Sequence, residues 1–229
     1  MICHELLRVV PGITCVVGSG GKTSLLATLA RELPGTVALT TSTHILPFEG
    51  VPLLCDPSPQ ELRAALRDER VVCVGAAGKG PKLGAPKRCG FGEMAGLADY
   101  VLVEADGSKR LPLKAHEGWE PVMVEGGDNC ILVLGASGFG RPASEVAHRL
   151  GLFCQRAGIS AGGMVRPEDV ARVLDAERRL GLLPFDHVVV NQVDGERELE
   201  LARRLAVALE APVEVCAGSL REGRLSRLR

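Results

Sequence analysis

The sequence has few aromatic residues, almost no net charge and no long hydrophobic run. Aromatic residues make up 3% of the 229 residues, so aliphatic side chains must fill the interior. A net charge of −1 creates no overall field that would attract nucleic acid or an anionic membrane, and we expect neither as a partner. Because no apolar run approaches the length of a bilayer-spanning helix, we expect no transmembrane segment.

Close cysteine pairs are also missing. The chain has eight cysteines, but no two of them form the Cys-x-x-Cys spacing of metal sites and redox centres. Four lie in or beside predicted strands, where a thiol behaves as a small hydrophobic group: Cys15, Cys73, Cys130 and Cys216. The first residues are too polar for a signal peptide, so we expect a reduced, cytoplasmic protein.

Residues 12–30 have the pattern of a phosphate-binding loop. An apolar strand at residues 13–17 precedes the loop, and leucines at helical spacing follow it. Between them lies a run of glycines that ends in a cation and two hydroxyls: Gly18-Ser19-Gly20-Gly21-Lys22-Thr23-Ser24. Glycines let several N–H groups point at one anion, and the helix N-terminus adds partial positive charge. Lys22 is expected to contact terminal phosphates and Thr23 to bind Mg²⁺, which predicts a site for ATP or GTP.

The loop departs from the common pattern, which has a glycine six residues before the lysine. Val16 occupies that position, and the remaining Gly-x-x-Gly-Lys-Thr resembles the shortened loop of the Mur ligases. The alternative interpretation is an incidental glycine turn between a strand and a helix. The coincidence of glycines, lysine and two hydroxyls favours the nucleotide site.

Polar residues also follow the second and the later predicted strands. At the carboxyl edge of an open α/β sheet, such residues line the binding crevice. His44, after a strand ending near Thr41, is a candidate to contact phosphate or orient an attacking water, with a solvated turn as the alternative. Glu104 and Asp106 share one strand parity and can project to the same side.

NTPases hold Mg²⁺ and orient the nucleophile with acidic residues in this position. We therefore expect Thr23, Glu104 and Asp106 to hold the metal. Lys22, Glu104, Asp106 and His44 form the expected catalytic group. The alternative for each acid is an ordinary cap at the end of a strand.

A strand at residues 187–190 ends in Asn-x-x-Asp, formed by Asn191 and Asp194. In GTPases an Asn-Lys-x-Asp sequence at this place recognises guanine, and its aspartate accepts hydrogen bonds from the base. Gln192 replaces the lysine here, so we expect Asn191 and Asp194 to contact the base while the choice between ATP and GTP stays open. The alternative is a helix cap by Asp194.

Strand patterns alternate with helical patterns along most of the chain. This alternation predicts an α/β, P-loop NTPase-like fold with a mostly parallel sheet and helices on both faces. Two consecutive helical patterns, at residues 143–157 and 167–180, predict a small helical insert at about residues 141–182. With 46% hydrophobic residues, the chain is long enough for one such domain over residues 1–229.

Two basic segments contain proline and glycine. Residues 75–92, with Lys79, predict a functional loop beside the phosphate site or a solvated one. Residues 108–115 are too polar for a core and too extended for a helix, which predicts a substrate or partner contact or a solvated connector. We expect Trp119 to pack beneath this loop and the arginines at residues 221–229 to be solvated.

Together, these motifs resemble those of the selenium-dependent molybdenum hydroxylase accessory proteins. The resemblance runs from about residue 10 to about residue 219. Besides the phosphate loop, it rests on five stretches: residues 40–45, 103–107, 109–114, 148–149 and 190–194. Ser42 stands where the family usually has threonine, and Trp119 stands where it usually has histidine.

The resemblance implies a cytoplasmic P-loop protein that helps to mature molybdenum hydroxylases carrying labile selenium. Its implied partners are a nucleoside triphosphate and a molybdenum hydroxylase or its cofactor-assembly proteins. Our first hypothesis is Mg²⁺-dependent hydrolysis of ATP or GTP. The alternatives are nucleotide-dependent transfer or ligation onto an anionic, pterin-like cofactor, and nucleotide-gated binding without catalysis.

Overall fold

An eleven-stranded, mostly parallel sheet forms the centre of the computed structural model, which describes residues 2–78 and 80–229 and, at Asp128, the backbone alone. Eight of these strands pair in parallel: β1 (Gly12–Gly18), β2 (Val37–Thr41), β4 (Leu53–Cys55), β5 (Val71–Ala77), β7 (Tyr100–Glu104), β9 (Gly127–Gly135), β11 (His187–Asn191) and β12 (Glu214–Ser219). Three short strands pair antiparallel at the edges: β3 (His44–Ile45), β6 (Leu83–Gly84) and β13 (Arg224–Arg227). The order across the sheet is β13-β12-β11-β9-β1-β7-β2-β5-β6-β3, and β4 lies beside β5.

The middle strands are buried on both faces. In β1, Val16 packs in one hydrophobic layer, whereas Cys15 and Val17 pack in the layer on the opposite face. This alternation follows from the two-residue period of a strand. A parallel strand that is covered on both faces needs apolar residues at every position, which explains its unbroken apolar run.

Helices cover both faces of the sheet, as the alternating sequence pattern predicts. One face carries α1 (Cys3–Leu6) and α2 (Lys22–Glu32), whose leucines Leu25, Leu26 and Leu29 are buried. The other face carries the remaining α-helices of the described chain: α3 (Pro59–Asp68), α4 (Phe91–Ala95), α5 (Ala143–Val146), α6 (Leu150–Ala157), α7 (Pro167–Arg179) and α8 (Glu196–Ala208). Among the described residues, none of the helices has the combined length and apolarity that crossing a bilayer requires.

The chain between β9 and β11 contains α5, α6 and α7, in the region of the predicted helical insert. The prediction of one helix over residues 143–157 is wrong, because two of its residues form β10 (Ala147–His148) and pair with β8 (Leu113–Lys114). Arg149 then adopts a left-handed conformation, φ +62°, before α6 begins. The apolar residues keep helical spacing here, but pairing with a distant strand outweighs local propensity.

Part of the segment after β7 is more buried than predicted. Leu113, Lys114 and Ala115 are buried, so the expectation that residues 108–115 are too polar for a core is wrong for residues 113–115, whereas Lys109 and Arg110 are exposed. The four C-terminal arginines are exposed, as expected, although Arg224 and Arg227 belong to β13, which pairs with β12. Arg229 donates hydrogen bonds to three carbonyl groups at the end of α8: those of Ala206, Leu209 and Ala211.

Trp119 lies at the surface, so the prediction that it packs beneath the loop is also wrong. Its side chain is 68% exposed. The Arg149 guanidinium lies 5.9 Å from its ring centroid and also pairs with Glu120 at 3.2 Å. This cation–π contact covers part of the indole ring, so Trp119 is stabilised at the surface without packing against apolar side chains.

The predicted loop at residues 75–92 contains short elements of regular structure, although most of its described residues lie outside them. It contains the end of β5, all of β6 and the start of α4. Backbone N–H groups of Lys87 and Arg88 donate to Asp56 Oδ1 at 2.7 and 3.1 Å, which fixes the return towards α4. Lys79, which belongs to the predicted loop, lies outside the described residues.

Replacing Leu29, which is fully buried between α2 and the sheet, tests this packing. Leu29→Ala is expected to lower the free energy of unfolding by about 2–5 kcal/mol, because the cavity cannot collapse completely. Urea unfolding followed by circular dichroism measures the change. Val207→Ala is the control, since Val207 is 86% exposed and its truncation should change stability by at most about 0.5 kcal/mol. Equal effects of the two substitutions would contradict the proposed packing of α2.

Candidate nucleotide-binding site

The predicted site residues are delivered to one edge of the sheet. Because neighbouring parallel strands end at the same edge, β1, β2, β7 and β11 bring their following residues together. β1 lies between β7 and β9. The register places Val16 of β1 opposite Glu104, and Gly18 opposite Val133. The topology therefore sets the predicted phosphate loop directly beside the candidate carboxylates.

Glycines and close backbone contacts fix the shape of the loop. Gly20 (φ +72°) and Gly21 (φ +134°) adopt conformations that other residues rarely take. A Cβ atom on Gly20 would lie 2.2 Å from the Gly135 backbone nitrogen, and one on Gly21 would lie 2.2 Å from Asn191 Nδ2. The neighbouring strand ends therefore leave room for glycine alone at both positions.

The loop leads into an uncapped helix N-terminus. The Ser19 hydroxyl donates to Pro112 O at 2.8 Å and anchors the loop. Gly21, the N-cap of α2, has no side chain to satisfy the first-turn N–H groups. Thr23 and Ser24 are exposed in that first turn. Free N–H groups at a helix N-terminus, next to a lysine, suit an anion such as a phosphate.

Lys22 is buried at the base of the loop, with 4% of its surface exposed. Its Nζ donates to Gly18 O at 2.8 Å and lies 3.2 Å from Asp106 Oδ1 and 3.8 Å from Glu104 Oε1. The protein itself thus satisfies the ammonium group. Contact with a phosphate requires Lys22 to exchange one of these partners for a phosphate oxygen.

Thr23 and Glu104 form the pair that could hold a metal. Thr23 Oγ1 donates to Glu104 Oε2 at 3.1 Å. Burial raises the pKa of Glu104, and Lys22 and the Thr23 hydroxyl oppose this rise. Hydroxyl and carboxylate oxygens are suitable Mg²⁺ ligands. The described residues contain no group of three or more His, Cys, Asp or Glu side chains able to hold a metal, so Mg²⁺ here needs oxygens from a bound phosphate as well.

Asp106 is fully buried and is surrounded by donors. Its Oδ2 accepts from Gly18 N at 2.9 Å, Lys114 Nζ at 3.0 Å and His116 Nε2 at 2.8 Å. Its Oδ1 faces Lys22 Nζ without a well-aligned hydrogen bond. Burial raises the pKa of Asp106, but Lys22, His116 and Lys114 outweigh burial and hold that pKa below its usual range. Asp106 is therefore an ionised group that joins the phosphate loop to the segment after β7.

Lys114 and His116 were not among the predicted site residues, although the sequence contains a pattern that could have identified them. Leu113 and Ala115 are buried in the hydrophobic core, and the polar residues between and after them point to Asp106. This two-residue alternation is typical of a strand with one apolar and one polar face.

His44 is not brought into the group around Lys22. It is exposed on β3, which pairs with Gly84 of β6. Within the described residues, no hydrogen bond or ion pair joins its side chain to Lys22, Glu104 or Asp106. Thr41, at the end of β2, lies closer to this group than His44 does, because its hydroxyl donates to the backbone oxygen of Glu104 at 2.8 Å.

Asn191 and Asp194 occupy different roles at the end of β11. Asn191 Nδ2 donates to Gly20 O at 2.8 Å, and its Oδ1 accepts from Leu220 N at 3.0 Å, so its side chain braces the phosphate loop. Asp194 is exposed, and Ser219 Oγ donates to its Oδ1 at 2.9 Å. The Asp194 carboxylate therefore faces solvent at this edge of the sheet, whereas the Asn191 amide is buried.

The Asp106 charge should stabilise the fold in a pH-dependent way. Asp106→Asn leaves Lys22, Lys114 and His116 without their shared anion, so we expect a loss of about 3–5 kcal/mol in the free energy of unfolding at pH 7. The folded-state pKa is depressed, so this stabilisation is complete above the usual aspartate pKa and declines as the pH falls below it.

The difference between wild type and variant should therefore shrink by about 1 kcal/mol between pH 7 and pH 3, measured by urea unfolding. Asp68→Asn, at the exposed end of α3, is the control and should change stability little at either pH. An Asp106→Asn variant as stable as wild type at pH 7 would contradict the role assigned to this carboxylate.

Comparison with known proteins places the chain in a family. Residues 14–151 match the family model described as "YqeC protein". The "Uncharacterized protein YqeC" of Escherichia coli (strain K12) is 31% identical over 173 residues, which cover 72% of this chain and 68% of that protein. No solved structure matches the chain. The family match over more than half of the chain and the identity to this relative show that the protein belongs to the YqeC family.

Proposed function

We propose that this protein binds Mg²⁺ with a nucleoside triphosphate at residues 18–24 and serves as a nucleotide-dependent accessory protein. The observation that carries the proposal is the arrangement of the loop. Its glycines are held at positive φ, the N-terminus of α2 lacks a side-chain cap, and Lys22 lies buried beside two carboxylates. Such a combination suits a triphosphate better than an ordinary turn, because a turn gains nothing from a buried lysine.

Four side chains have separate roles in the proposed site. Lys22 would exchange Gly18 O for the terminal phosphates and neutralise their charge, and Thr23 and Glu104 would hold the metal. Bound Mg²⁺ would supply charge neutralisation on the phosphate oxygens. Asp106 has its Oδ2 occupied by three donors, so we assign it the positioning of Lys22 and Gly18 instead of direct metal contact.

Hydrolysis is the first candidate activity. Glu104 is the candidate to orient the attacking water, because Asp106 is occupied by three donors and His44 lies apart from Lys22. The second candidate is nucleotide-gated binding without catalysis. The separation of His44 from Lys22 and Glu104 favours it, because one expected member of the catalytic group is then missing.

The maturation role comes from the motif resemblance. We propose that a selenium-dependent molybdenum hydroxylase, or a protein that assembles its cofactor, is the partner that responds to the nucleotide state. The E. coli relative is named only as uncharacterized and adds no activity to this assignment. Capture of a purified molybdenum hydroxylase in one nucleotide state but not in the other would support the role.

Lys22→Ala tests the phosphate site directly. The substitution removes the cation that meets the phosphates, so we expect nucleotide affinity to fall by about 100-fold and any slow hydrolysis to stop. Isothermal titration calorimetry with Mg²⁺-ATP and Mg²⁺-GTP, together with a phosphate-release assay, measures both effects. Arg67→Ala, which removes an exposed cation of α3 on the opposite face of the sheet from α2, is the control. Nucleotide binding that survives Lys22→Ala unchanged would rule out this site.

Asp194→Asn tests base recognition. A carboxylate accepts hydrogen bonds from the guanine N1–H and 2-amino groups, whereas an amide can present a donor there, so we expect GTP affinity to fall by about 10- to 100-fold. ATP affinity should stay the same, since adenine lacks these donors. Glu196→Gln, an exposed acid two residues away, is the control. If both nucleotides lose affinity equally, Asp194 acts as a structural cap and does not contact the base.

A further inference from the structure

A fully buried glutamate on α7 lies at one end of a chain of charged contacts. Glu177 belongs to the helical insert, and its exposed fraction is 0%. Its Oε1 accepts from Arg156 Nη1 at 2.5 Å and from the backbone N–H of His116 at 2.8 Å. Its Oε2 lies 2.7 Å from His116 Nδ1. Burying a carboxylate on an otherwise apolar helix face is unfavourable unless such partners hold it.

His116 connects this glutamate to the phosphate loop. Its Nδ1 faces Glu177 Oε2, and its Nε2 lies 2.8 Å from Asp106 Oδ2. A carboxylate only accepts hydrogen bonds, so both ring nitrogens donate and the ring carries a positive charge. Asp106 Oδ2 in turn accepts from Gly18 N, the residue with which β1 ends and the loop begins. Three successive contacts therefore link α7 to the phosphate loop.

The link is held from both sides. Arg156 of α6 donates to His116 O at 2.7 Å and also to Glu177 Oε1. One guanidinium group therefore holds both the His116 backbone and the carboxylate that the His116 ring contacts. The β8–β10 pairing fixes the residues that precede His116, and Ala115 N donates to His148 O at 3.1 Å. The ring therefore has little freedom to turn away from Asp106.

We propose that Glu177, acting through His116, is a positioning residue for Asp106 and so for Lys22 and the start of the phosphate loop. This inference rests on the proposed nucleotide binding. Asp106 divides its negative charge between His116 and Lys114 on one side and Lys22 on the other. A fixed, charged donor at His116 weakens the hold of Asp106 on Lys22, which leaves the ammonium group available to a phosphate.

Stability alone is a poor explanation for this arrangement. Buried ion pairs are often no more stabilising than apolar side chains of the same volume. Val170, Val173 and Leu174 occupy the same face of α7, so a leucine at position 177 would simply continue the apolar stripe. The glutamate instead places an anion where it can orient a residue of the nucleotide site.

Glu177→Gln is the decisive variant because it keeps the size of the side chain and removes its charge. The glutamine amide would meet the His116 Nδ1–H donor to donor, so the ring must turn or give up that proton. Asp106 then loses a fixed, charged donor and holds Lys22 more tightly. We expect the Kd for Mg²⁺-GTP and Mg²⁺-ATP to rise by about 3- to 10-fold, as for residues that act through another group.

Glu168→Gln provides a matched control on the same helix. Glu168 pairs with Arg204 of α8 at 2.8 Å and is partly exposed, so the substitution also removes an ion pair of α7 but does not reach Asp106. Calorimetry of wild type and both variants gives the affinities, and thermal unfolding confirms that each is folded. Weakened binding in Glu177→Gln but not in Glu168→Gln supports the positioning role, and unchanged affinity in both overturns it.

A second readout separates this inference from the proposed function. In ¹H–¹⁵N spectra of the protein without nucleotide, the Gly18 amide should shift in Glu177→Gln and stay in place in Glu168→Gln, because Gly18 N donates to Asp106. If wild type binds neither nucleotide, the proposed function is wrong. The contacts that join Glu177 to Gly18 are tested separately, and an unchanged Gly18 amide in Glu177→Gln would refute them. Should Glu177→Gln not fold, Arg156→Gln weakens the same contacts from the side chain that is 13% exposed, and it should give a smaller shift in the same direction.

Discussion

The fold around this site depends on keeping one buried carboxylate ionised. Asp106 is fully buried, and the elements around it balance its charge. Hydrogen bonds come from β1 through Gly18 N and from the segment after β7 through Lys114 and His116, and α2 supplies the Lys22 ammonium group. Removing any one donor leaves a charge that the interior cannot solvate. This requirement explains why polar residues enter the core after β7, where the hydrophobic pattern alone would exclude them.

The loop is likewise shaped by its neighbours. Gly20 fits against Gly135 of β9, and Asn191 of β11 holds the Gly20 carbonyl. Asn191 was expected to contact a base, but its amide is committed to the loop and to Leu220 N. Strand order thus determines the geometry of the site as much as the loop sequence does. A loop with the same residues on a different sheet would lack these supports.

What could be predicted from the sequence was local. The apolar run of β1, the leucine spacing of α2 and the carboxylates after β7 each follow from a pattern within a few residues, and the structure contains these elements at the expected places. Lys114 and His116 were missed because their burial depends on Asp106, eight and ten residues away, and on Glu177, 61 residues from His116. Glu177 was detectable only as an acid interrupting the apolar stripe of α7. The alternation of residues 113–116 indicates that Lys114 and His116 share a polar face, but the partners of that face are distant in sequence, so their identity needed the structure.

The strand order also constrains the time at which the site forms during synthesis. β1 pairs with β7 and β9, so the loop near residue 20 acquires its side walls only after residue 135 has been made. Asn191, which holds the loop by donating to Gly20 O, is synthesised 171 residues after Gly20. On the ribosome, the phosphate loop would therefore leave the exit tunnel early and remain without its supports until most of the chain had been translated. The proposed nucleotide site would therefore be complete only after the far half of the domain had docked.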